Sequence, residues 1–66
     1  MTSKTVYSSE RNGYKVELYE YTVNRKHGFG TRVTNLTTQS SLQTPGFSTY
    51  GTALMVAQQE ADEAKI

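Results

Sequence analysis

The chain has 66 residues, with seven Lys or Arg, six Asp or Glu, one His and no Cys. This length predicts a single domain over residues 1–66, and a net charge of +1 favours neither a strongly basic nor an acidic protein. The lack of cysteine excludes disulfides and thiolate zinc sites, and no apolar run approaches the ~18 residues of a membrane-spanning helix. Residues 1–5 contain no apolar segment of the kind found in export signals, so we expect a cytoplasmic protein.

The first half of the sequence predicts three strands joined by turns. Residues 2–7 are rich in Thr, Val and Tyr, which favour strands. The following polar segment ends in Asn12-Gly13, a pair typical of tight turns because both residues tolerate positive φ. A second strand is predicted over 14–23, and the polar segment 24–28 predicts a loop before a third strand over 29–37.

The second predicted strand alternates between two kinds of side chain. One face carries Tyr14, Val16 and Leu18, and the other carries Lys15, Glu17, Tyr19 and Tyr21. Burying Lys15 and Glu17 without partners would cost free energy. We therefore expect Val16 and Leu18 to face the core and the tyrosines Tyr19 and Tyr21 to lie on the opposite face.

The segment that follows is less regular. Val33 and Leu36 lie three residues apart, so they cannot both face the core of a regular strand, and a bulge near Gly30 or a change of register would resolve this. Residues 40–44 are consistent with a short fourth strand or with a loop, and Pro45-Gly46 predicts a turn.

The last part of the chain predicts a helix over residues 48–64, with Ser48 as its N-cap. Its apolar positions recur at helical spacing, at Tyr50, Ala53, Leu54, Ala57, Ala61 and Ala64. The expected fold is therefore α+β, a three- or four-stranded antiparallel sheet with one C-terminal helix packed on one face. Because one helix covers one face of a sheet, the other face is left for solvent or a partner.

Nothing in the sequence favours catalysis. No serine stands in a nucleophile motif, and His27 lies in a polar segment with no metal-ligand spacing around it. The string Gly28-Phe29-Gly30 lacks the third glycine and the helix of a phosphate-binding loop. We expect a protein that is not an enzyme and that needs no cofactor or metal.

Two kinds of binding remain open. Protein binding, including formation of a homodimer, would use the uncovered sheet face with Lys15, Glu17, Tyr19 and Tyr21, since tyrosines with a mixed polar rim are typical of interfaces. The alternative is a small DNA- or RNA-binding module that uses the sheet face together with Arg25, Lys26 and Arg32. Against it, Glu10, Glu17 and Glu20 offset the basic residues of the same region.

The strand from Gly13 to Glu20, a polar hairpin, a further strand and the Ala53-Leu54-x-x-Ala57-x-x-x-Ala61 helix together resemble small phage-encoded proteins. In particular, the layout resembles the single-domain anti-CRISPR inhibitors, several of which are a short antiparallel sheet with one helix. The resemblance lies in architecture, without a diagnostic motif, and it implies no specific site residues. It implies a non-enzymatic protein of the host cytoplasm that inhibits a bacterial CRISPR–Cas complex by occupying its surface.

Overall fold

A computed structural model of the chain describes residues 2–64. The strands are β1 (Thr2–Arg11), β2 (Tyr14–Val23), β3 (Lys26–Asn35) and β4 (Ser41–Phe47), and the helix α1 (Tyr50–Asp62) follows them. The strands form one antiparallel sheet in the spatial order β1-β2-β3-β4. The helix contacts β2, β3 and β4. The predicted α+β fold with a C-terminal helix on one face of an antiparallel sheet is confirmed, and the sheet has four strands.

Two tight turns set the length of the first three strands. Asn12-Gly13 joins β1 to β2 with φ values of 54° and 80°, and Asn24-Arg25 joins β2 to β3 with φ values of 51° and 64°. Positive φ at both central residues matches the twist of the flanking strands, so the strands pair right up to the turn. For this reason β1 continues past residue 7 to Arg11, and β3 begins at Lys26 instead of residue 29.

Both edge strands contain an irregularity. In β1 the register with β2 shifts between Thr5 and Tyr7, where one extra residue is inserted. In β4 the register with β3 shifts near Pro45-Gly46, and Gly46 has a φ of 97°. The predicted turn at Pro45-Gly46 is thus an irregularity within a strand. Proline is tolerated there because an edge strand has N–H groups that need no partner in the sheet.

The end of β3 resolves the spacing of Val33 and Leu36. Val33 is fully buried, but β3 ends at Asn35 and Leu36 is 44% exposed in the following loop. The Asn35 carboxamide oxygen accepts hydrogen bonds from the N–H groups of Thr37 and Thr38, at 2.8 and 3.1 Å. This local turn terminates the strand. The predicted extension of the strand to residue 37 was therefore wrong. An irregularity near Gly30 is present, because the register between β3 and β4 shifts between Phe29 and Thr31. The spacing of Val33 and Leu36 is nevertheless explained by the end of β3 and not by this shift.

The core lies between the helix and one sheet face. Its fully or almost fully buried side chains are Tyr14, Val16, Leu18, Val33, Ala53, Ala57 and Ala61. The three alanines recur every four residues, so the helix presents a small-residue face and can lie close to the strands. The prediction that Tyr14, Val16 and Leu18 face the core is confirmed. Within residues 2–64, no helix is long and apolar enough to cross a membrane.

The helix is shorter than the predicted range 48–64. Thr49, and not Ser48, is the N-cap, because its backbone is extended and its hydroxyl accepts a hydrogen bond from the Thr52 N–H at 3.3 Å. The helix ends at Asp62, and Ala64 lies beyond it with a φ of 53°.

The end of the helix is held by the first hairpin. Asn12 Nδ2 donates a hydrogen bond to the Ala61 carbonyl at 3.1 Å. The Arg11 guanidinium donates two bonds of 3.0 Å to the Asp62 carboxylate. These contacts tie α1 to the far end of the β1–β2 hairpin and leave the opposite sheet face uncovered.

Candidate functional site

The candidate site is the sheet face that points away from α1, here called the open face. Side chains alternate across a strand, so the residues of β2 between the core positions lie on this face. They include all four residues predicted for protein binding, Lys15, Glu17, Tyr19 and Tyr21, and each of them is partly buried. The alternation of β2 therefore brings the predicted set onto one surface.

Tyr19 and Tyr21, here called the tyrosine pair, lie over two glycines of β3. The register places Tyr19 opposite Gly30 and Tyr21 opposite Gly28. A Cβ at Gly30 would lie 2.5 Å from the Tyr19 Oη atom, and a Cβ at Gly28 would lie 2.9 Å from the Tyr21 Oη atom. Only glycine leaves room for each ring to lie down on the neighbouring strand. The glycines explain why both rings are partly buried on a face that no other element covers.

The hydroxyl groups of the tyrosine pair are held by β4. The Gln43 side-chain NH₂ donates to Tyr19 Oη at 3.0 Å, and the Gly46 backbone N–H donates to Tyr21 Oη at 3.0 Å. The irregularity at Pro45-Gly46 releases the Gly46 N–H from regular strand pairing, so that it can serve this bond. The two ring centroids lie 6.1 Å apart with planes tilted by 43°. Each ring therefore packs against the other ring and is held at its hydroxyl by a hydrogen bond from β4.

Arg32 extends this arrangement into a polar chain. Its Nη2 atom donates to Gln43 Oε1 at 3.4 Å, and Gln43 in turn donates to Tyr19. Hydrogen bonds in series polarise one another. The Tyr19 hydroxyl stands at the end of this chain, which begins at the Arg32 guanidinium.

The open face is concave around the tyrosine pair. The groove encloses about 540 Å³, within the range of roughly 300–1,000 Å³ that is typical of ligand pockets. Its lining comes from all four strands: Ser3, Lys4, Thr5, Glu17, Tyr19, Tyr21, Val23, Arg32, Gln43 and Pro45. Glu17 is thus part of the groove wall, whereas Lys15 lies farther along β2, between Glu10 and Thr34 in the register.

The basic residues predicted for nucleic-acid binding are separated by the fold. Arg25 and Lys26 are exposed at the β2–β3 turn, where Arg25 is a central turn residue. Arg32 lies in the groove, opposite Glu17 across the ladder. Arg32 comes six positions after Lys26 along β3, which corresponds to about 20 Å. The three cations therefore lie in two separate regions, one at the β2–β3 turn and one in the groove.

Several residues of this site were not predicted from the sequence. They are the two glycines beneath the rings and six residues of the lining: Gly28, Gly30, Ser3, Lys4, Thr5, Val23, Gln43 and Pro45. The signal for the two glycines was present in the sequence. A two-residue turn at Asn24-Arg25 dictates a register in which Tyr19 and Tyr21 face Gly30 and Gly28. Gln43 and Pro45 depend on the pairing of β4 with β3, and residues 40–44 were consistent with either a short strand or a loop.

The chemistry of the open face suits binding. Within residues 2–64, no group of three or more His, Cys, Asp or Glu side chains is placed to hold a metal ion. The groove instead offers two aromatic rings, their hydroxyls, a guanidinium and one carboxylate. No family model, no curated protein and no solved structure matches this chain.

Proposed function

We propose that the chain is a non-enzymatic binding protein that recognises a protein partner with its open face. The observation that carries this proposal is the tyrosine pair, which lies on Gly28 and Gly30 inside a groove of about 540 Å³. Aromatic side chains are frequent anchors of protein interfaces. Tyrosine loses little entropy on binding because it has two χ angles, and rings already fixed by hydrogen bonds lose less still.

The surroundings of the tyrosine pair support the same proposal. Glu17 and Arg32 stand on neighbouring strands at the edge of the rings, and Lys15 lies beyond them. A mixed rim of both charges is typical of protein interfaces, in which an apolar centre is bordered by polar groups. The resemblance of the sequence layout to phage anti-CRISPR inhibitors makes a bacterial CRISPR–Cas complex the proposed partner, inhibited through surface contact in the host cytoplasm.

The test uses purified Cas effector complexes and compares two charge substitutions. Glu17→Lys changes the charge of the groove wall by two units, and Gln59→Lys places the same side chain, with a change of one unit, on the exposed outer side of α1. We expect the wild type and Gln59→Lys to bind a complex and to inhibit its DNA cleavage. Glu17→Lys should bind at least about tenfold more weakly, because a misplaced interface charge costs several kcal/mol.

The two parts of the proposal fail separately. A parallel capture from bacterial lysate, with and without nuclease, covers partners outside the purified panel. If a nuclease-resistant protein is retained by the wild type and lost with Glu17→Lys, but no Cas complex binds, the partner class is wrong and the surface is right. If the two lysine variants bind a partner equally well, the open face is not the contact surface.

Nucleic-acid binding is the second candidate, favoured by the presence of Arg32 beside two stackable rings on the open face. In this case a labelled oligonucleotide should bind at low salt, with an affinity that falls steeply as salt rises. Replacing Arg25 and Lys26 by Ala should flatten the salt slope by about two charges. Absence of binding to single and double strands at low salt would eliminate this candidate.

A further inference from the structure

The groove offers more hydrogen-bond donors than acceptors. Each hydroxyl of the tyrosine pair accepts one hydrogen bond from β4 and still carries its own proton. Among residues 2–64, neither proton has an acceptor. Arg32 adds further N–H groups, and the carboxylate of Glu17 is the one acidic group in the lining. A matching ligand is therefore apolar, rich in acceptors and poor in donors.

From this balance we infer that the partner docks through a proline-rich segment in the polyproline II conformation, an inference that rests on the proposed function. Each residue of such a segment presents a carbonyl oxygen that has no internal hydrogen bond. Each proline lacks an N–H, so no donor is left unpaired against the donor-rich groove. The pyrrolidine rings supply the apolar surface that covers the two tyrosine rings.

The shape of the site favours this conformation over an extended strand. The groove lies on a sheet face, where the backbone groups are already paired within the ladders, so a β-strand ligand would find no row of partners for its own N–H groups. A polyproline II segment needs no such row. It advances ~3.1 Å per residue, so the ring spacing of 6.1 Å corresponds to two of its residues.

The occupant is another protein. The chain contains a single proline, Pro45, which itself lines the groove. A second copy would bring the same excess of donors against the first, and it has no proline-rich segment to offer. A nucleic-acid strand would meet two cations, Lys4 and Arg32, as well as Glu17 in this lining, and its binding would differ from that of an uncharged segment by a steep dependence on salt.

The test probe is a fluorescein-labelled decaproline, with a Gly/Ser peptide of the same length as its control. Titration to about 1 mM peptide covers weak as well as strong binding. We expect fluorescence anisotropy to saturate with decaproline and to stay flat with the Gly/Ser peptide. Because the fluorescein label is itself an anion, the salt dependence is measured by competition with unlabelled, end-capped decaproline. This competitor is uncharged, so its affinity should not change between ~50 and ~500 mM salt.

Three matched variants test whether the hydroxyls of the tyrosine pair donate hydrogen bonds to decaproline. Tyr19→Phe and Tyr21→Phe keep the rings and remove the donors, and each should weaken decaproline binding about three- to tenfold, the effect of one hydrogen bond. Tyr50→Phe makes the same change on α1, outside the groove lining, and should leave the affinity unchanged. Amide chemical shifts of the wild type give a measurement that needs no variant: decaproline should move Tyr19, Gln43 and Gly46 and leave Met55 in place.

Several results would overturn the inference. It is wrong if the wild type does not bind decaproline, if the chemical-shift changes are confined to residues outside the groove, or if all three Phe variants bind with equal affinity. Two further results would also overturn it: a dimer that buries the open face, and salt-sensitive binding of labelled oligothymidine in place of decaproline. If decaproline fails while a protein partner is still lost with Glu17→Lys, the proposed function stands and only the polyproline inference is wrong. If both fail, the open face does not bind a partner.

Discussion

Gly30 is the position at which the geometry of the open face can be tested most directly. The substitution Gly30→Ala places a Cβ atom 2.5 Å from Tyr19 Oη and 2.6 Å from Tyr19 Cε2. Cβ atoms do not approach other atoms this closely, so something must move. Gly30 is paired with Tyr19 of β2 and lies in an inner strand between β2 and β4, whereas the Tyr19 ring lies on the uncovered face of the sheet. We therefore expect the ring to leave and the backbone to stay.

The free energy of this change has three parts. Displacing the ring breaks the bond from Gln43, which costs ~0.5–1.5 kcal/mol. Re-exposing a few tens of Å² of ring surface costs roughly a further 0.5–1 kcal/mol. Replacing glycine by alanine at a position with ordinary strand φ returns about 0.4–1 kcal/mol through the unfolded chain. The net expectation is a loss of about 0–2 kcal/mol, centred near 1 kcal/mol, and ~1 kcal/mol lowers Tm by about 4–8 °C in a domain of this size.

The assay is a double-mutant cycle with Tyr19→Ala, measured by thermal or urea unfolding. Removing the ring removes the three atoms that lie nearest to the new Cβ, so Gly30→Ala should then stabilise the protein by about 0.4–1 kcal/mol. The coupling between the two positions should amount to ~1–3 kcal/mol. Gly51→Ala is the matched control, since Gly51 lies in α1 with open space around its Cβ and should stabilise by about 0.5–1 kcal/mol. A coupling near zero would show that Tyr19 does not lie on Gly30.

The remaining predictions concern the core. Leu18→Ala should cost ~2–5 kcal/mol, enough to unfold most of a domain with roughly 3–5 kcal/mol of stability. Leu54→Ala should cost visibly less because Leu54 is only partly buried. Equal losses of stability in chemical unfolding would contradict this ranking. Thr31→Val should raise Tm, since Thr31 is fully buried and its Oγ1 atom has no hydrogen-bond partner, a situation that costs about 1–3 kcal/mol. A lower Tm of Thr31→Val would mean that the hydroxyl does have a partner.

The features that could be predicted from the sequence depend on local periodicity. The alternation of β2 identified the core face because Val16 and Leu18 are apolar while Lys15 and Glu17 are charged. The spacing of the helix alanines identified the packed side of α1 for the same reason. Both patterns repeat within one element, so no knowledge of its neighbours is needed.

The features that could not be predicted depend on pairing between strands. The sequence predicts that the loop before β3 ends at Gly28, but the chain turns earlier, at Asn24-Arg25. Arg25 then adopts a φ of 64°, which costs an ordinary residue about 1–2 kcal/mol. The earlier turn lets β3 pair along its whole length with β2 and places its glycines beneath the tyrosine pair. This gain in pairing and ring packing outweighs one strained residue, and it is visible only once both strands are considered together.

The cost of the two glycines in β3 supports the proposal that the open face binds a partner. Glycine inside a strand costs roughly 0.5–1 kcal/mol relative to alanine, and Gly28 and Gly30 carry this cost twice in a domain with little stability to spare. At strand positions that only face solvent, threonine or lysine would avoid this cost. Thr34 and Lys26 occupy such positions on the same face of β3. The glycines, the irregularity at Gly46 and the bond from Gln43 all act on the same two rings, and they hold those rings flat with their hydroxyl protons unused. Fixing two aromatic side chains in this way lowers the entropy lost when a ligand covers them, which is the physical basis for the proposal that a partner binds at Tyr19 and Tyr21.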